Sequence, residues 1–332
     1  MKDTAPTGRR IDPLDLLERF GLVLLFAVIV ALFSIWRPNT FATSDNFRAI
    51  VTSQSVVAVA ALALIFPLMT GRFDISVGGI LGICAIGCAA TMSSHGFALV
   101  PAIGFGLAMG LFIGLVNGVV VAYLGVNSII GTLGTATVMG GLITAYTKGI
   151  PVTTGLSPTL TELGSKEVFG IPTLFLIMLA ISVVVWYVLT QTPFGRQLAA
   201  VGINQRAAEL TGLRVRRIVM LSFVLSGLFA AAAGVLQVGA QGSGDPQSGG
   251  IGFILPAIAA VFLGATTWTP GRFNVPGTII ALFFLGTTVS GLALVGAAPW
   301  VSEAFNGTAI VVAIALSVQF RRRRTGEVAV GI

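Results

Sequence analysis

Three groups of residues in this sequence have types and spacing suited to chemistry on a solute or a partner. The first centres on one acid in an apolar setting, Asp74, followed by Ser76, Gly78 and Gly79. A carboxylate there either caps a helix N-terminus, where unpaired N–H groups and the helix dipole favour it, or belongs to a partly unwound, Gly-rich element lining a cavity. The second is a scatter of neutral donors and acceptors within apolar runs: Gln54, Asn117, Thr132, Thr135, Thr137, Ser222, Ser226, Gln237, Thr287 and Thr288. Polar groups in hydrocarbon are costly unless paired, so these face protein or a watery cavity. Gln54, Asp74, Ser76, Asn117, Thr132, Thr135 and Gln237 are the candidates for lining a pathway. Such a lining suits a neutral hydroxylated solute better than an ion, although hydrogen bonding between helices accounts for most of these residues too. The third is a basic connection, residues 191–217, opening Thr192-Pro193-Phe194-Gly195-Arg196. Its stretch Asn204 to Leu213 has no proline or glycine before Gly212, which predicts a short helix with a glycine stop.

Catalytic chemistry finds little support. The only histidine, His95, sits at a helix end beside Gly96, and no pair of carboxylates falls within one apolar run. Cys84 and Cys88 lie four apart on one helix face, a packing arrangement rather than a disulfide or metal site. No G-x-x-x-x-G-K-[ST] phosphate loop occurs, so the chain is expected not to be an enzyme and to bind no cofactor or metal. Any nucleotide energy must then come from another chain.

The elements that position these residues follow from composition. Of 332 residues, 55% are hydrophobic and 9% charged, against roughly 25% charged in soluble domains. A spanning helix needs about 20 apolar residues, and the sequence predicts an all-α polytopic membrane protein with spans at 20–36, 51–69, 75–94, 97–122, 128–146, 171–190, 218–238, 251–267, 275–296 and 304–320. The basic start before the first of these resembles a signal peptide, but no small-residue cleavage pattern closes it, so it reads as a retained span. With ten spans, fifteen of the 19 basic residues fall on the side of the termini and even-numbered loops, including Arg321 to Arg324. Both termini are therefore expected in the cytoplasm. The expected domains are a cytoplasmic tail over 1–19, a transmembrane body over 20–320 and a cytoplasmic tail over 321–332, with an external loop at 147–170 and the cytoplasmic loop at 191–217. Span four carries Gly106, Gly110, Gly114 and Gly118 along one face, a strip for close helix packing or, second, a smooth pore wall.

One short motif recurs: Gly71-Arg72-Phe73-Asp74-Ile75 returns as Gly271-Arg272-Phe273-Asn274-Val275. Internal repeats are common in transporters, and chance in a Gly-rich chain is the alternative.

Four segments, in order, carry a family resemblance. Gly71 to Gly78 resembles the Gly-x-x-Asp-Leu-Ser-Val-Gly segment of ribose-type permeases of ATP-binding cassette (ABC) importers. Gly114-Leu115-Val116-Asn117-Gly118 through Thr132-Leu133-Gly134-Thr135 is similar to that family's Asn-Gly and Thr-Leu-Gly stretch. Thr192 to Arg196, then Ala200-Val201-Gly202-Ile203-Asn204 and Ala207-Ala208, resembles its cytoplasmic coupling loop. Ile258 to Gly264, with Gly271 and Pro276-Gly277-Thr278, resembles its late Gly-rich segment. Two departures, Asn127-Ser128-Ile129-Ile130 in place of a proline-containing approach and Trp268 to Phe273 in place of a Ser- and Gly-rich turn, bear on local loop shape. The resemblance implies a monosaccharide importer in a bacterial inner membrane. Two permease chains form the pathway, a periplasmic binding protein delivers the sugar, and a cytosolic ATPase using ATP and Mg docks on Pro193, Gly195, Arg196, Gly202, Asn204, Ala207, Ala208 and Gly212. An ion-coupled carrier, with Asp74 as its one candidate site, and permeases for nucleosides or branched-chain amino acids are the alternatives.

Overall fold

The computed structural model describes residues 13–325. The tail residues 1–12 and 326–332, including Lys2, Arg9 and Arg10 of the charge argument, lie outside the described residues. Thirteen α-helices run in order, among them α1 (Pro13–Trp36), α2 (Ser44–Met69), α3 (Val77–His95), α4 (Leu99–Ala122), α5 (Ser128–Thr147), α6 (Pro158–Thr161) and α7 (Thr173–Gln191). They continue with α8 (Pro193–Ile203), α9 (Gln205–Leu210), α10 (Val215–Gln241), α11 (Ile251–Gly264), α12 (Val275–Leu294) and α13 (Pro299–Thr325). The only sheet among the described residues is a two-stranded hairpin, β1 (Glu167–Val168) with β2 (Ile171–Pro172). Among the described residues, eight helices are long and apolar enough to cross a membrane: α2, α3, α4, α5, α7, α10, α12 and the first 19 residues of α13. The shorter apolar stretches Phe20–Trp36 and Gly252–Gly264 accompany them. The chain is an all-α polytopic membrane protein.

Helices α2, α3 and α10 form the interior, with α10 packed on α4, α2 and α3. Phe66 of α2 stacks on Phe229 of α10 at 5.5 Å between ring centroids. Leucines, valines and aromatics of α4, α5, α7 and α13 remain exposed, as expected where the solvent is lipid rather than water.

Two predicted spans are not simple helices. Span three, expected over 75–94, turns helical only at Val77, after a non-helical stretch over 70–76 with Gly71 at φ +75°. Span eight is helical over Ile251–Gly264, not 251–267, and its 14 residues extend about 21 Å, short of the roughly 30 Å of hydrocarbon. The preceding segment runs antiparallel along α3. A Cβ on Gly244 would meet the Ala89 side chain, one on Gly82 would lie 2.7 Å from the Ser248 carbonyl oxygen, and one on Gly78 would lie 2.5 Å from that of Gly250. Backbone rests on backbone there, which only glycine permits.

The motif copies meet in space. Phe73 stacks on Phe262 at 6.0 Å, and Phe273 packs edge-on against the same ring at 5.4 Å. Helices also restart about two hundred positions apart, Val77 with Val275 and Leu99 with Pro299, so the recurrence extends beyond five residues. The predicted loop 147–170 is not a bare connection. Its α6 and the 3-10 turn Glu162–Gly164 seat on the end of α10, with Leu160 buried and Gly164 against the Ala240 and Gly239 carbonyls, while the hairpin strand β2 packs on α2 and α7.

Candidate functional site

The candidate residues sort into three places. Asp74, Ser76, Asn117, Thr132 and Thr135 gather where the 70–76 break meets α4, α5 and α10. Asp74 is 2% exposed. Its Oδ1 accepts from the Ser76 amide at 3.1 Å and from the Ser76 hydroxyl, and its Oδ2 accepts from Ser226 Oγ of α10 at 2.8 Å. Asn117 Nδ2 of α4 donates to Ser76 Oγ at 2.7 Å, and Thr135 Oγ1 of α5 donates to Asn117 Oδ1 at 2.7 Å. Thr132 Oγ1 accepts the Ile75 amide at 3.0 Å. No basic group pairs with the carboxylate among the described residues, so hydroxyl and amide donors alone satisfy it, a use of polar groups suited to a low-dielectric interior.

This geometry differs from a helix cap. The N-cap of α3 is Ser76, whose side chain makes no capping bond, and Asp74 stands two residues before it. The stretch is unwound, as the second reading of Asp74 had it, but its polar groups point at neighbouring helices of the same chain.

Gln54 and Gln237 occupy a different place. Together with Arg48, Thr52, Ser53, Gln241 and Phe253 they line a cavity of about 440 Å³ between α2, α10 and α11. Gln54 lies against the bare backbone of Gly286 on α12, and Gln237 Nε2 donates to Ser248 Oγ at 3.4 Å. The rim is tied by Arg48 Nε to Glu167 Oε1 of β1 at 2.8 Å. Three other membrane hydroxyls bond back to their own helices: Thr137 to the Leu133 carbonyl, Ser222 to Val219 and Thr288 to Phe284.

The third place is the pair α8 and α9. Thr192 caps α8 by accepting the Gly195 amide at 3.4 Å, Pro193 occupies the first turn, and Asn204 caps α9 by accepting the Ala207 amide at 2.9 Å. Gly212, at φ +85°, ends the element. The predicted single helix over 204–213 is therefore the shorter half of a two-helix unit. Gly202, read from sequence as a residue that seats against a partner, sits on its own chain: a Cβ there would run into the Met69 carbonyl. Gly195 likewise lies against the Leu189 carbonyl, and Ala208 is buried. The face left open carries Arg196, Asn204, Ala207 and two bare apolar side chains, Ile203 and Leu210, which are 66% and 84% exposed.

Gly110, Gly114 and Gly118 form a seam against α10, and Gly106 faces Cys84 and Cys88 of α3 together with Val235 of α10. A Cβ on Gly114 would lie 2.5 Å from the Phe223 carbonyl oxygen, and one on Gly118 would lie 2.7 Å from that of Met220.

Residues 46–314 match the family model described as branched-chain amino acid transport system / permease component. The chain belongs to this permease family. Within it, the chain is 34% identical over 302 residues to the ribose import permease protein of Escherichia coli strain K12, covering 90% of this chain and 93% of that one. The corresponding protein of Haemophilus influenzae is 32% identical over 302 residues, 90% of this chain and 92% of the other, and that of Bacillus subtilis strain 168 is 32% identical over 309 residues, 93% and 95%. No solved structure matches the chain significantly. The protein is thus a ribose-type ABC permease, a transport subunit rather than an ATPase, and a multi-pass protein of the bacterial inner membrane.

Sequence reading of this permease missed Ser128, whose Oγ accepts the Phe73 amide at 3.1 Å, and did not place Ser226 among the site candidates. Ser128 does carry a signal, since it stands one helical turn before Thr132 on α5. Ser226 does not, because its partner lies 152 positions away.

The permease network makes a prediction for Asp74. Asp74→Asn keeps an acceptor for Ser76 and offers an amide to the Ser226 hydroxyl, so its cost is expected to stay within about 1 kcal/mol. Asp74→Leu strands buried donors and is expected to cost about 2–3 kcal/mol. Thermal unfolding of the two variants in detergent, alongside uptake, checks this, and equal tolerance of both would remove the carboxylate from the structural account.

Proposed function

We propose that this permease forms, with a second permease chain, the pathway by which a monosaccharide delivered by a periplasmic binding protein is imported at the expense of ATP. The observation that carries the substrate class is the similarity to ribose import permeases over nine-tenths of both chains. The cavity supports it, since the Gln54 and Gln237 amides are uncharged paired donors and acceptors of the kind that sugar hydroxyls need. Ion coupling is the poorer reading, because both carboxylate oxygens of Asp74 are engaged by Ser76 and Ser226.

In this reading the chain crosses ten times with both termini in the cytoplasm, on the weight of the basic residues. The α8–α9 end is cytoplasmic and docks on a separate ATPase that holds ATP and Mg. The α6 and hairpin end is periplasmic and receives the binding protein. The chain itself uses no cofactor.

The test is uptake by the permease reconstituted with its ATPase and binding protein, using labelled ribose and other monosaccharides. Uptake is expected to require both ATP and the loaded binding protein. Saturable uptake at full rate without either one overturns the proposal.

A further inference from the structure

The seven residues between α2 and α3, 70–76, are attached on both sides. On one flank they meet the two-helix unit, where Gly202 of α8 rests on the Met69 carbonyl and Arg72 Nη2 donates to Oε1 of Gln205, the first residue of α9, at 3.0 Å. On the other flank they meet α5. The Phe73 amide donates to Ser128 Oγ at 3.1 Å and the Ile75 amide to Thr132 Oγ1 at 3.0 Å. Ser128 and Thr132 are one helical turn apart on α5. The segment is therefore pinned to α5 at two points in register. Asp74, between those two amides, bonds to Ser226 on α10, and Ser76 accepts from Asn117 on α4.

A segment without internal helical bonds follows whatever holds its amides, and a buried amide that loses its partner stays unpaired. Resting on the importer reading, we propose that residues 70–76 transmit displacement of α8 and α9 to α5, and that Thr132 is a positioning residue for this transmission rather than part of the pathway lining. Thr132 Oγ1 accepts the Ile75 amide while donating to the Ser128 carbonyl at 2.7 Å, so its hydroxyl orientation is set. Arg72 makes the link to α9 from a partly exposed position, with little packing at stake.

The experiment measures solute imported per ATP hydrolysed by the permease reconstituted with its ATPase and binding protein. This ratio does not depend on how much folded complex is recovered. Thr132→Val keeps the shape and removes the acceptor, and is expected to lower the ratio about tenfold. Thr132→Ser restores the acceptor and is expected to return the ratio to near the wild-type value. Arg72→Met, on the surface, is expected to lower it about threefold. Wild-type ratios in both Thr132→Val and Arg72→Met overturn the proposal while leaving the importer reading intact. A wild-type complex showing no ATP-dependent uptake overturns the importer reading, and this proposal with it.

Discussion

Leucine at Gly110 or Gly114 is expected to abolish recovery of a folded, detergent-stable permease. Helices usually pack with axes about 8–10 Å apart, the distance set by the side chains between them. At Gly110 and Gly114 the α4–α10 seam brings backbone close to backbone, with no side chain larger than the Ala231 methyl among the nearest atoms. Even a methyl group at Gly110 would strike the Ala231 methyl and the Gly227 carbonyl, and the reciprocal Cβ at Gly227 would strike the Gly110 carbonyl. At Gly114 a Cβ would lie 3.1 Å from the Val224 Cα as well as close to the Phe223 carbonyl. Neither neighbour is the tip of a flexible side chain, so relief requires separating α4 from the interior helix it packs on. The cost is expected to reach about 3 kcal/mol or more at each site. Gly104→Leu, on the same helix but with nothing within 4 Å of its Cβ, is expected to remain near wild type. Size-exclusion profiles and thermal unfolding of the three variants decide the matter. Stable Gly110→Leu and Gly114→Leu proteins would show that the seam opens freely.

The second large effect is expected at Leu210. A leucine 84% exposed, beside an isoleucine 66% exposed, both borne on short capped helices at a membrane protein's polar end, is costly in water and gains by burial against a partner. The adjoining hollow of about 410 Å³, lined by Gln205, Arg206, Glu209 and Leu210, offers polar rim groups around that apolar anchor, the arrangement of a binding hot spot. Leu210→Glu is expected to weaken association with the ATPase by about 2 kcal/mol, roughly thirtyfold in affinity. Binding-protein stimulation of ATP hydrolysis should fall with it. Ala207→Trp, on the same open face, is expected to act in the same direction. Gly202→Trp is not a test of docking, because its side chain would displace α8 from Met69 within the chain. Normal ATPase binding and stimulation in both Leu210→Glu and Ala207→Trp would show that the partner docks elsewhere.

Most spans were legible because apolar length is a local property: a run such as Leu99–Ala122 declares itself without reference to any other segment. The exceptions have a common cause. Helix α8 is not declared by local pattern, because Gly195 and Gly202, expected from sequence to seat against a partner, serve close approach within the chain, to Leu189 and Met69. Span eight ends earlier than its expected limit at 267 because Ala265, Thr266 and Thr267 form a turn, in which the Asn274 side-chain amide donates to the Thr267 and Gly264 carbonyls. Asp74 stood out by its charge in an apolar setting, but the choice between cap and hub depends on Ser226, Asn117 and Ser128, which only the tertiary fold brings near. Local pattern reveals which groups need partners. It does not reveal who the partners are.

The shortness of α11 bears on how the protein is made. A 14-residue helix extends about 21 Å against roughly 30 Å of hydrocarbon, so α11 entering a bilayer alone is a poor span. The segment before it, 242–250, rests on α3 at the bare Gly78 and Gly82 positions, so α3 already in place offers the surface on which that segment packs. Synthesis from the N-terminus supplies α3 some 150 residues earlier, so the chain's own order of emergence provides the template on which its late half settles. A circularly permuted gene that delivered α11 before α3 would encode the same contacts and deny them their sequence of formation.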